Sequence, residues 1–178
     1  MAVELRAATR DDRDAIVAVF LACWRQSYAG ILPEAAITAM TDERAAALWS
    51  RVLAAPAGTV LVAERAGTVL GVTRFARATG GLAGDADAGD RVGEGVVHSL
   101  YVSPDAQGLG VGSRLLDAAF ESLRADGARS VALWVFAANA PSIAFYEARG
   151  WRPDGQTRTQ DEFGEPELRL RREIEGAG

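Results

Sequence analysis

Val96-Val-His-Ser-Leu-Tyr-Val-Ser-Pro-Asp-Ala-Gln-Gly-Leu-Gly-Val-Gly-Ser-Arg-Leu-Leu116 is the stretch whose reading decides the fold of this chain. A β-branched run ends at Val102, and a turn of Ser103, Pro104 and Asp105 follows. Gly108, Gly110 and Gly112 then lead into an apolar-periodic helix that starts inside the glycine loop. Glycines at a helix entrance remove side chains where a ligand would approach the backbone. The first helical N–H groups lack intrahelical partners, and the helix dipole favours negative charge beside them. A strand, a glycine turn and a helix in this order therefore make a cradle for phosphate groups. Tight packing of strand against helix is the plainer use of the same glycines.

Outward from this stretch, the pattern gives a mixed α/β order. Asp11, Asp12 and Asp14 open a helix on which Ile16, Val19, Phe20, Cys23 and Ser27 recur at helical spacing, with Gly30 ending it. Pro33 starts a second helical region, and Thr41 caps a third around Leu48, Trp49 and Leu53. Residues 60–64 and 68–77 read as a hairpin about Arg65-Ala66-Gly67. Gly80 to Gly93 reads as a mobile loop rich in Gly, Asp and Ala. A strand over Gly95 to Val102 precedes the glycine loop, and Gly127 stops the helix after it. Val131 to Phe136 is a short apolar strand. Asn139 caps a helix with Pro141 in its first turn and Gly150 at its end. Trp151 begins a last strand pair, finished by Glu167 to Arg172. With strand–helix–strand in the middle, at least one parallel crossover is expected.

The bulk numbers exclude several classes. The 178 residues suffice for one domain, 1–178, with a sizeable core. No apolar run approaches the ~20 residues that cross a membrane, and the charged N-terminus lacks the apolar stretch of a signal peptide. Cys23 is the only cysteine, so no internal disulfide forms, and a cytoplasmic location is expected. The net charge of −5, without a basic run, argues against nucleic acid. Every Lys/Arg position is arginine, which rules out a lysine-bearing Walker loop. Asp85, Asp87 and Asp90 lack the spacing of a calcium loop, and no metal is expected. They would either draw in a cationic acceptor or solubilise the loop.

A dinucleotide fingerprint is the first rival for the glycines. It fails because Ser113 stands where the third glycine belongs, Ser103 to Gln107 intervene after the strand, and no acid lies near Leu133. Gln107-Gly-Leu-Gly110-Val-Gly112 instead fits Q/R-x-x-G-x-G/A, and about 30 residues on comes Asn139-Ala-Pro-Ser142-Ile-Ala-Phe-Tyr146-Glu-Ala-Arg-Gly150-Trp151. Together with the opening Glu4-Leu-Arg-Ala-Ala-Thr-Arg-Asp-Asp, these motifs closely resemble the GNAT family of N-acetyltransferases over nearly the whole chain. The resemblance implies a single-domain α/β fold, a mixed central sheet with splayed parallel strands flanked by helices. It also implies acetyl-CoA as co-substrate and a small-molecule or peptide amine as acceptor. Homodimers are common in such a family, and the sequence leaves the oligomeric state open.

By the same resemblance, the diphosphate would lie on the N–H groups of Gln107, Gly108, Gly110, Val111, Gly112 and Ser113. Leu100 and Val102 would offer backbone groups to the pantetheine arm, and the Leu100 and Tyr101 N–H groups would polarise the thioester. Asn139, with Ser142 beside it, would contact the cofactor, although capping alone explains an asparagine there. Tyr146 would meet the departing sulfur as an acid, or else serve as a buried aromatic anchor. A phenol at ~10 and a thiol at ~8.5 make full proton transfer uphill by roughly 2 kcal/mol, which favours a hydrogen bond.

An attacking amine with pKa ~10.4 costs about 4.6 kcal/mol to neutralise at pH 7, so a base or water relay is needed. Glu94 and His98, four apart and hence on one face of a strand, are the candidates. Relatives carry their acid at a position that is Val96 here, and a lone histidine is often only packed. Trp24 and Tyr28 fall where relatives shape the acceptor pocket, with core packing the other role for Trp24. Cys23, mid-helix and far from a base partner, does not suit a covalent acetyl-enzyme. The reading is direct transfer from acetyl-CoA to a primary amine in a ternary complex. A non-catalytic acyl-CoA-binding or regulatory module is the alternative, and another acyl group a variation on it.

Overall fold

The computed structural model describes residues 2–55, 58–78 and 93–174. The acidic loop with Asp85, Asp87 and Asp90 lies outside the described residues. The elements in chain order are β1 (Glu4–Ala7), a 3-10 turn (Arg10–Asp12), α1 (Arg13–Ala22), a π-helical turn (Cys23–Ser27), α2 (Glu34–Ala39) and α3 (Asp42–Ala54). They continue with β2 (Thr59–Arg65), β3 (Thr68–Arg77), β4 (Gly95–Val102), a 3-10 turn (Pro104–Ala106), α4 (Val111–Ala125), β5 (Ser130–Phe136), α5 (Ala140–Glu147), β6 (Arg152–Thr159) and β7 (Pro166–Glu173). The sheet order is β1-β2-β3-β4-β5-β7-β6. The fold is thus a single α/β domain with a mixed seven-stranded sheet. Its contacts cluster into two compact units, Met1–Arg74 with Ser99–Ala119, and Phe75–His98 with Phe120–Gly178.

In the first unit, α1 buries Ile16, Val19 and Phe20 on one face. Phe20 meets Trp49 of α3 edge-on at 6.1 Å and Tyr101 of β4 at 5.1 Å. Thr41 caps α3 by accepting from the Arg44 N–H at 3.3 Å, as its sequence position predicts. Val111 and Leu115, on the first turns of α4, are buried with Ala63, Leu70 and Ala106. That anchoring holds the start of α4 in place while its polar end stays accessible.

The second unit contains a parallel step between β4 and β5. Gly95, Val96 and Val97 of β4 lie opposite Val131, Ala132 and Leu133 of β5. β5 then pairs antiparallel with β7 over its full length, from Ser130↔Glu173 to Phe136↔Glu167. Val131, Leu133, Leu170 and Trp151 fill the interior, and Phe120 meets Trp151 at 6.4 Å.

Two local expectations are corrected. The first helix does not run unbroken to Gly30. It changes to π geometry over Cys23–Ser27, where the Tyr28 N–H reaches back five residues to the Cys23 carbonyl at 3.2 Å. The N-terminal strand β1, paired antiparallel with β2 from Glu4↔Glu64 to Ala7↔Leu61, has no counterpart in the sequence reading. Four residues at a sheet edge are too few to show a period of two. Among the described residues, no helix is long and apolar enough to cross a membrane.

Candidate active site

The glycine turn belongs to the first unit and follows β4 after the 3-10 turn Pro104–Ala106. The Ser103 N–H donates to the Leu70 carbonyl at 2.8 Å, tying the end of β4 to β3. The Ala106 N–H then donates to the Ser103 carbonyl at 2.8 Å, and the Gln107 N–H to the Pro104 carbonyl at 3.3 Å. Gly108 and Gly110 sit in the left-handed region at φ 78 and 77°. Only glycine adopts such angles without strain, and here they turn successive amides outward. The Gly110 carbonyl accepts from the Arg114 N–H at 3.1 Å, which starts the α4 ladder. Among the described residues, no backbone carbonyl accepts from the N–H groups of Gly108, Gly110, Val111 or Gly112. These amides lie at the positive end of a 15-residue helix, with Gly108 and Gly110 exposed, Gly112 half-buried and Val111 buried. The Gln107 N–H differs from them, being engaged in its own turn.

Strand parity assigns the edges of β4. A Cβ added to Gly71 of β3 would lie 2.9 Å from the Tyr101 carbonyl, and the Ser103 N–H bonds Leu70. The backbone groups of Tyr101 and Ser103 therefore face β3, and those of Leu100 and Val102 face the opposite edge. That placement favours Leu100 and Val102 as partners for an extended ligand. It turns the Tyr101 N–H away from the position expected of it. The Tyr101 ring packs between Phe20 and Trp49, at 5.1 and 6.4 Å.

Trp24 and Tyr28 flank the π-helical turn, their rings 5.4 Å apart and nearly perpendicular. Trp24 is buried against Phe20 as a core side chain, while Tyr28 is half-buried. The Cys23 thiol is buried and donates to the Val102 carbonyl at 3.0 Å. Burial pushes it up to about 11, against the smaller downward pull of its hydrogen bonds. A thiol that stays protonated at neutral pH is a poor nucleophile.

The second unit holds the remaining candidates. Glu94 is buried and ringed by cationic and hydroxyl donors. Arg171 Nε lies 2.8 Å from its Oε1, Ser130 Oγ donates at 3.1 Å, and Arg169 Nη1 stands 3.5 Å from Oε2. Arg169 is itself fully buried, and its Nε donates to Asp154 Oδ2 at 2.7 Å. Such a carboxylate is a structural counter-ion, already committed to two guanidiniums. The sequence reading missed the arginines, although Glu167, Arg169 and Arg171 alternate along β7 and so share one face. His98 is half-buried further along β4, on the same side by strand alternation.

Asn139 is buried and caps α5, its Oδ1 accepting from the Ser142 N–H at 3.2 Å. The cap thus accounts for one side of the amide and for the Ser142 backbone. Tyr146 lies on α5 between Phe145 at 5.2 Å and Trp151 at 6.2 Å. Its ring is half-buried, and desolvation pushes the phenol from 10.0 up to about 12. Among the described residues, no group of three or more His, Cys, Asp or Glu side chains is placed to hold a metal ion.

Comparison with known proteins agrees with this architecture. The sequence profile of the acetyltransferase (GNAT) family matches residues 15–151. A Mycobacterium tuberculosis protein bearing the name probable N-acetyltransferase is 28% identical over 162 residues, 88% of this chain and 84% of its own length. A mycothiol acetyltransferase of Propionibacterium freudenreichii is 33% identical over 79% of this chain, but the match spans only 40% of that longer protein. Among solved structures, the PaiA N-acetyltransferase of Thermoplasma acidophilum in complex with coenzyme A superposes with a TM-score of 0.75. It shares 18% identity and covers 98% of this chain and 100% of its own. The chain is an acyltransferase by class. It belongs to the acetyltransferase (GNAT) family.

Proposed function

We propose that this protein is an acetyl-CoA-dependent N-acetyltransferase that acetylates a primary amine by direct attack in a ternary complex. The observation that carries the reading is the glycine turn at the positive end of α4, where the N–H groups of Gly108, Gly110, Val111 and Gly112 have no backbone acceptor among the described residues. A dianionic diphosphate is the ligand such a turn suits best. The Gln107 side chain supports the turn from the side, reaching Val102 and Ser27. Leu100, with the Val102 N–H, offers an extended arm the strand edge it needs. The Leu100 N–H also serves as the donor to a thioester carbonyl. Acetyl-CoA would supply an acyl group already activated as a thioester.

The proton steps fall to His98 and Tyr146. His98 takes the proton from the ammonium acceptor, directly or through water, because imidazole titrates near neutral pH. Glu94 is left to its arginines. Tyr146 donates a hydrogen bond to the departing sulfur. With the phenol near 12 and a free thiol at ~8.5, complete proton transfer would be uphill by about 5 kcal/mol. The hydroxyl therefore stabilises developing charge and leaves final protonation of the thiolate to solvent. Asn139 and Ser142 are read chiefly as the cap of the helix that carries Tyr146. Cys23 takes no acyl group.

The test is a panel of amines screened for CoA release from acetyl-CoA, with mass spectrometry of the products. Acetylated amine with stoichiometric CoA supports the reading. Tight CoA binding with no turnover on any amine would favour a non-catalytic acyl-CoA-binding module. Competition between acetyl-, propionyl- and succinyl-CoA fixes the acyl group.

A further inference from the structure

Four contacts beside the glycine turn have no part in the transfer chemistry. Cys23 Sγ donates to the Val102 carbonyl at 3.0 Å. Gln107 Nε2 donates to the same carbonyl at 3.3 Å and to Ser27 Oγ at 3.3 Å. Ser27 in turn hydrogen-bonds the Cys23 thiol. Cys23 and Gln107 close on the last residue of β4, and Ser27 bridges the two of them.

A carbonyl oxygen has two lone pairs, and both of those on Val102 are taken. The β4 edge facing away from β3 therefore ends, for any incoming ligand, at the Val102 N–H. Its usable acceptor is the Leu100 carbonyl. Gln107 also links that edge to the turn, since the same residue opens the row of free amides. The π geometry belongs to this arrangement. It gives Cys23 and Ser27 a register that a continuous α-helix would not, and such turns occur mostly where a side chain must be re-aimed.

We infer that Cys23, Ser27 and Gln107 are positioning residues that close the pantetheine edge at Val102 and hold it in fixed relation to the diphosphate turn. The inference rests on the functional reading, in which edge and turn hold one CoA molecule. Two half-sites joined this way bind a two-part ligand with a preorganisation advantage that neither half shows alone. Cys23 acts as a hydrogen-bond donor and undergoes no chemistry. Gln107 acts through its side-chain amide.

The experiment compares CoA with 3′-phospho-ADP, the same molecule cut back to its diphosphate, by calorimetry and competition. Cys23→Ala and Ser27→Ala are expected to weaken CoA by about tenfold while 3′-phospho-ADP stays within about twofold. Cys23→Ser keeps a donor and is expected to restore CoA affinity to within about threefold of the wild type. In turnover assays the KM for acetyl-CoA rises by the same factor as the affinity falls, with kcat within about twofold. Equal losses for both ligands, or no loss for CoA, would overturn the inference. A wild-type chain that does not bind CoA would instead overturn the functional reading and this inference with it.

Discussion

Gly110→Ala separates the ligand role of the glycine turn from its role in the fold, because the structure supplies a matched control. Gly110 has φ 77° and Gly67, in the β2–β3 hairpin, has φ 80°. At both positions an added Cβ would meet nothing within 4 Å. The methyl group itself thus clashes with nothing, and the penalty is the left-handed conformation alone, about 1–2 kcal/mol at either site. For a chain of this size that lowers Tm by roughly 2–8 °C. The two variants should be equally destabilised by differential scanning fluorimetry. Their affinities for CoA should differ. Relaxing residue 110 out of the left-handed region swings its own N–H and that of Val111 off the ligand. One or two hydrogen bonds to a charged group, at about 1.5–3 kcal/mol each, would go. The Kd of Gly110→Ala should rise by at least about tenfold, while that of Gly67→Ala stays at the wild-type value. Equal Kd values for the two variants, at equal Tm, would show that these amides do not hold the diphosphate.

Tyr146→Phe keeps the ring between Phe145 and Trp151 and removes only the donor, so kcat should fall by about tenfold or more with Tm nearly unchanged; a fall under about threefold argues against a role at the sulfur. Because burial raises this phenol, it stays protonated through the working range, and its linkage appears only in strong alkali: the unfolded phenol ionises first near 10, so stability drops between there and about 12 in the wild type but not in Tyr146→Phe. His98→Ala should lower kcat by about tenfold or more at neutral pH with Tm nearly unchanged, and a fall under about threefold would reassign the base. Glu94→Gln leaves the buried Arg169 short of its counter-charge and should cost about 3–5 kcal/mol in stability, with kcat per folded molecule within about threefold; a large fall in kcat at unchanged Tm would make Glu94 the base. The guanidinium of Arg6 holds the Asp12 carboxyl well below the usual carboxylate range, so the pair contributes its full stability above pH ~4 and loses it in more acidic solution. Asp12→Asn should cost about 1–2 kcal/mol at pH 7, and the two melting curves should converge in acid.

How far the sequence could be read follows from where each feature is encoded. β4 was legible to the residue, from Gly95 to Val102, because a β-branched run stands between a glycine and Ser-Pro. The Thr41 and Asn139 caps were legible because a cap is a contact within three residues. The π-helical turn was not. Ile16, Val19, Phe20 and Cys23 keep the same apolar face whether the next hydrogen bond spans four residues or five. The choice is made by Val102 and Gln107, some 80 positions away. The partners of Glu94 were hidden for the same reason. As an acid on the face of His98 it invited a catalytic reading, and only the register that places Ala132 opposite Arg171 brings the guanidiniums to it. The glycine turn stood out because glycines mark a backbone conformation directly, whereas a side chain's role depends on neighbours that sequence spacing does not reveal.

The electrostatics of the two units also constrain the kind of catalysis available. Cys23 at about 11 and Tyr146 at about 12 remain neutral donors at any physiological pH. The buried carboxylate of Glu94 is matched by arginines, so it presents no free base. Strong acid or base catalysis would need a group whose pKa had been moved towards neutrality, and burial has moved the Cys23 thiol and the Tyr146 phenol away from it. On the proposed reading the base is then His98, and His98→Ala tests it.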